Sequence, residues 1–191
     1  MKIFDIINPV LSIISLNRGK RESDVQRILT MYGECRKILD TLYLNGDTTS
    51  SVGIKCLELT YNRIFLANLT TRVDKRKKLT EQVTVPYVPT LMEVKEEFNK
   101  ITSISCPNLS SYLASVVSIL KALDKAKITR KDRNDCAIFI KMQTTKYEQL
   151  WLYYYFVIGG KDSNLLLDYN IIADIINNDK FPIKGYKHKQ I

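Results

Sequence analysis

Few residues in this chain have the type and spacing to do chemistry. Glu96-Glu97 and the pair Asp132 and Asp135 bring carboxylates close together in sequence. Paired carboxylates can do acid–base work, one giving a proton while the other takes one. All four fall on the polar faces of patterned helical segments, where solvated charge is the ordinary role. Only one histidine is present, His188 near the C-terminus, so no histidine stands where a catalytic triad needs one. The arginine-then-histidine motif of small helical RNases is also missing, since Lys184 is four residues before His188. Seven scattered glycines form no phosphate loop. Cys35, Cys56, Cys106 and Cys136 lie far apart without metal-ligand spacing. Cys35, Cys56 and Cys136 fall inside helical patterns and read as small buried thiols. The sequence therefore suggests no catalytic residues, no metal and no cofactor.

Cations are plentiful instead. The 191 residues include 29 Lys and Arg against 20 Asp and Glu, for a net charge of +9 and a pI near 9.3. That balance suits an acidic partner: nucleic acid, anionic lipid or an acidic protein. The densest cluster is RVDKRKK at 72–78. Arg72, Lys75, Arg76, Lys77 and Lys78 form a candidate nucleic-acid-binding patch through phosphate contacts. They equally suit a solvated helix end, where cations meet the negative pole of the helix dipole.

The elements that must position these residues are helical. The stretch KMQTTKYEQLWLYYYFVI, 141–158, contains the only tryptophan, Trp151, and an unbroken apolar and aromatic run from Leu150 to Ile158. That run is far short of the roughly 20 residues that span a bilayer as a helix. Thr145 and Glu148 have the spacing of a capping box, and Gly159-Gly160 supplies a left-handed stop. A helix apolar on nearly all sides is buried on nearly all sides. The spacing thus predicts a central helix from Tyr147 to Ile158, with Trp151 buried. Tyr153, Tyr154 and Tyr155 should then set their hydroxyls in polar seams. The ordinary role expected of Glu148 is to close the capping box, worth about 1 kcal/mol; a functional role is the alternative, which Glu148→Gln would expose by removing the charge while keeping most of the cap.

The remaining helices are predicted around this one. Ile3, Ile7, Val10 and Ile14 give Met1–Leu16 a helical pattern, suited to packing on the domain, on a second copy or on a membrane surface. Pro9 fits the first turn of a helix capped by Asn8; as a signal peptide the stretch reads poorly, because Asp5 and Pro9 interrupt its apolar run and no small-residue cleavage site precedes Arg18. Ser23 and Gln26 have capping-box spacing before an apolar face of Val25, Ile28, Leu29, Tyr32, Cys35 and Leu39, with Asn45-Gly46 as its stop. A second helix is predicted over Val52–Thr71. Pro86 and Pro89 then forbid helix, so a loop or hinge is expected near 72–89. Capping boxes at Thr90/Glu93 and Thr129/Asp132 open two further helices, and Cys106-Pro107-Asn108 separates the first from Leu109–Lys127. Ser163–Asn177 reads as one helix, or two bent at Tyr169-Asn170. The predicted fold is all-α: one compact domain of about seven to eight helices around a central apolar helix. It comprises an arm or short helix at 1–20, the helical domain at 21–179 and a basic tail at 180–191. No transmembrane segment is expected, and the cytoplasm is the expected location.

With the helices placed, the chain resembles the AbiC-like family of phage abortive-infection proteins. SYLASVVSILKALDK at 111–125, KMQTTKYEQLWLYYY at 141–155 and LLLDY at 165–169 follow that family's order, and GIKCLELTYNRI at 53–64 is similar to an earlier segment. Gln143, Thr145, Glu148, Leu152 and Tyr154 keep the family's residue types. Lys141 replaces its arginine, Tyr155 its asparagine and Leu167 its glutamate. The resemblance implies phage defence, in which an infected cell stops growing before progeny mature, and implies no known reaction. Many members carry N-terminal membrane helices, which are not expected in this sequence. Three readings follow. The first is a defence protein acting through contacts with a protein partner or with its own copies. The second is a basic nucleic-acid-binding module working with a nuclease or reverse transcriptase. The third is an enzyme whose pocket gathers Glu148, Lys141 and Gln143.

Overall fold

A computed structural model describes residues 19–45, 51–69 and 89–176. The predicted N-terminal helix, the basic cluster at 72–78, the loop up to residue 88 and the basic tail lie outside the described residues. The first helix, α1 (Gly19–Asp40), begins before Ser23. Lys20, Arg21 and Glu22 are good helix formers and carry the helix upstream. Ser23 and Gln26 therefore sit within its first turns and do not cap it. The helix unwinds at Asp40, short of Asn45-Gly46, and Gly53 N–H donates to the Leu42 carbonyl at 2.9 Å. Gly53, at φ +63°, starts α2 (Gly53–Leu59). This helix widens into a π-helical segment, Thr60–Leu66.

The proline-rich stretch ends at Thr90, which caps α3 (Leu91–Lys100) through a complete capping box with Glu93. A second π-helical segment, Ile101–Ser105, follows and packs against the first. Cys106, at φ −141° and ψ 75°, breaks the helix, and the chain turns by 110° into α4 (Asn108–Lys125). Thr129 and Asp132 box the start of α5 (Arg130–Gln143), and Thr145 and Glu148 that of α6 (Lys146–Val157). Gly159, at φ +78°, supplies the expected left-handed stop. At Gly160 a Cβ would run into the Tyr155 ring, so only glycine fits there without displacing it. Asn170, at φ 55°, divides the last predicted helix into α7 (Leu165–Asp168) and α8 (Ala173–Ile176).

The fold is all-α. The described residues hold eight helices and one isolated antiparallel bridge, Tyr43 to Val52. The broadest packing joins α1 to α4, and both helices bury apolar residues in the core, Val25, Ile28, Leu29 and Leu39 on α1 and Leu113, Val116 and Leu120 on α4. The central helix is α6, buried without a break from Glu148 to Tyr154 and packed on α2, α4, α7 and α8. Trp151 is fully buried, with Phe65 and Phe98 ring centroids at 5.3 and 5.8 Å. Its indole N–H donates to the Leu57 carbonyl at 3.1 Å, meeting the need of a buried polar tip. Among the described residues, no single helix is long and apolar enough to cross a membrane.

Candidate functional site

Glu148 is the focus. Its helix starts where Thr145, in extended backbone, turns its hydroxyl toward the Glu148 N–H at 3.4 Å. Glu148 Oε2 returns the bond, accepting from the Thr145 N–H at 2.9 Å. This is the predicted capping box, but the side chain does more. Glu148 is fully buried, and its Oε1 accepts from Arg36 Nη1 on α1 and from the Tyr112 hydroxyl on α4. One carboxylate therefore joins the beginning of α6 to two other helices.

The electrostatics follow from burial and charge. Burial works to lower the Arg36 guanidinium, and the Glu148 carboxylate beside it more than reverses that, leaving it above its ordinary value. Burial, then the negative charge of Glu148, pushes the Tyr112 phenol far up. Tyr32 is pushed up to about 12, chiefly by burial. Its hydroxyl has Arg36 and Thr144 nearby yet makes no hydrogen bond. Cys35 also rises to about 12 through burial, with Glu148 adding to the rise. Both Glu148 oxygens are occupied, one by a backbone amide and one by a cation and a phenol. In this arrangement Glu148 is a clamp between helices, with neither oxygen held ready to take a proton from a substrate.

The other motif residues are dispersed. Lys141 pairs with Asp174 of α8 at 3.0 Å, an exposed bridge. Gln143 is half-buried at the end of α5. Tyr154 is buried in an aromatic cluster, 4.5 Å from Phe65 and 5.3 Å from Tyr153 between ring centroids. Its hydroxyl does not sit in the polar seam expected of it. The Tyr61 phenol is near, but not in the geometry of a normal hydrogen bond, and burial pushes Tyr154 strongly upward. The apolar groove of about 630 Å³ between α1 and α4 is lined by Met31, Cys35, Ile38, Ser115 and Ile119 among others, and by none of Glu148, Lys141 and Gln143. Arg72, Lys75, Arg76, Lys77 and Lys78 lie outside the described residues.

Neither Arg36 nor Tyr112 had a role assigned from the sequence. Arg36 did leave a sign. It is seven and four residues after Leu29 and Tyr32 and three before Leu39, the spacing of the apolar face. A cation on that face implies a buried partner. No protein-family model, curated protein or solved structure matches the chain.

Proposed function

We propose that this chain is a phage-defence protein of the abortive-infection kind that acts through protein contacts and has no catalysis of its own. The observation carrying this reading is the state of Thr145 and Glu148, two of the residues on which the resemblance rests. They are engaged in a buried clamp with Arg36 and Tyr112, so their pattern describes a scaffold that sets helix positions. Exposed apolar side chains on α5, Ile138 and Met142, offer contact surface for a partner. The test is to express the chain with its neighbouring genes in a related host and challenge it with a phage panel. Reduced plaquing and early arrest of infected cells are expected. Normal plaquing with every phage rejects the defence role, and cleavage of RNA, DNA or nucleotides by the purified chain rejects its non-catalytic part.

A second reading, nucleic-acid binding, is favoured by a separate feature. Lys125, Lys127, Arg130 and Lys131 are all exposed around the α4–α5 corner. Under this reading, replacing Arg76, Lys77 and Lys78 with alanine weakens binding equally for all sequences and flattens its salt dependence. Absence of RNA and DNA binding by the unmodified chain at low salt disposes of it.

A further inference from the structure

Two of the four buried cysteines differ from the others. Cys56 lies on α2, just before the helix widens, and Cys106 lies at the corner between α3 and α4. Their sulfurs are 3.6 Å apart, and both residues are fully buried. A disulfide holds its sulfurs at about 2.05 Å, so closure requires a movement of about 1.5 Å. The backbone on one side is suited to give way. Cys106 is outside any helix, its N–H bonded back to the Ile101 carbonyl across a π-helical turn.

We propose that Cys56 and Cys106 are an oxidisable pair, closing to an intramolecular disulfide in the presence of a small peroxide. One sulfur attacks the peroxide O–O bond, becoming a sulfenic acid and releasing water. The second sulfur then attacks the first and expels its oxygen as a second water. Two S–H bonds and one O–O bond break, one S–S bond forms, and two electrons pass from the thiols to the peroxide. The hydrogen bond to Cys56, then burial, pushes the Cys106 thiol strongly upward, so thiolate is scarce at neutral pH. Oxidation is therefore slow, and it quickens as pH rises. Once the sulfenic acid exists, its partner is already within reach. The bond ties α2 to the α3–α4 corner across a separation of 50 residues. A loop that long restricts the unfolded chain considerably.

The full chain is treated with hydrogen peroxide at mildly alkaline pH, denatured, alkylated and mapped by mass spectrometry. The expected product is two hydrogen atoms lighter, with Cys56 and Cys106 linked and Cys35 and Cys136 alkylated. Its melting temperature should rise by roughly 10 °C and return on reduction with dithiothreitol. Cys56→Ser and Cys106→Ser should abolish the product, and Cys35→Ser and Cys136→Ser should leave it. Wild-type chain that stays fully alkylatable, or that links through Cys35 or Cys136, overturns the proposal. The wild-type map alone decides the matter if a serine variant does not fold.

Discussion

Glu148 carries two structural duties on one carboxylate, and substitution can separate them. Thr145→Ala removes only the hydroxyl half of the cap and should cost about 1 kcal/mol. Glu148→Gln keeps an oxygen for the cap but removes the charge facing Arg36, whose side chain is only 14% exposed. A stranded, mostly buried cation should raise the cost to about 3 kcal/mol. Arg36→Met in the same chain should recover part of it, because the pair is then lost as a unit. Urea denaturation measures all three, and a Gln variant no weaker than Thr145→Ala would show the ion pair to be idle. Tyr154→Phe tests the opposite case. Deleting a buried hydroxyl that makes no hydrogen bond should leave stability unchanged or raise it by up to ~1 kcal/mol. If that variant is stable yet loses phage protection, the hydroxyl has a use beyond the fold. The cap was legible because Thr-x-x-Glu is a local pattern. Its tie to Arg36 spans 112 residues, so the spacing of Arg36 on the apolar face can call for a buried partner without saying which.

At the scale of helices, the starts were more legible than the interiors. Three of the four proposed capping boxes form, at Thr90, Thr129 and Thr145, each in extended backbone where a new helix begins. The fourth, at Ser23, does not, because the residues before it favour helix as strongly as those after it. The π-helical segments were not legible at all. TYNRIFL and ITSIS have ordinary apolar spacing, and nothing in their letters marks the widening of the two segments, which pack on each other. Trp151 sits above this contact with its N–H on Leu57, in the turn before the first widening. Trp151→Ala should cost about 3–5 kcal/mol from the lost burial and the cavity left behind. A calorimetric melting temperature within a degree or two of the parent would contradict the central place given to α6.

The whole molecule has a pH weakness on the alkaline side. Burial pushes the Tyr32 phenol from 10.0 to about 12, the Cys35 thiol from 9.0 to about 12 and the Cys136 thiol from 9.0 to about 11. Each group holds its proton more tightly when folded, so the unfolded chain releases protons first as pH rises. Their contribution is complete below pH 9.0 and declines as pH climbs through 9.0 toward about 12. Melting temperatures taken across that range should fall steadily. A flat profile would mean that these groups are wet. The paired π-helical turns have a consequence of another kind, for kinship. Each closes its hydrogen bonds over five residues where an α-helix uses four, so each turn holds one residue more. A relative built on plain α-helices would lack those residues, one in each of two helices. Aligned to this chain it would show two single-residue gaps inside helices, where gaps are penalised most, although the tertiary contacts on either side coincided. Relatives of this chain are then better sought by comparing helix arrangements than by comparing letters.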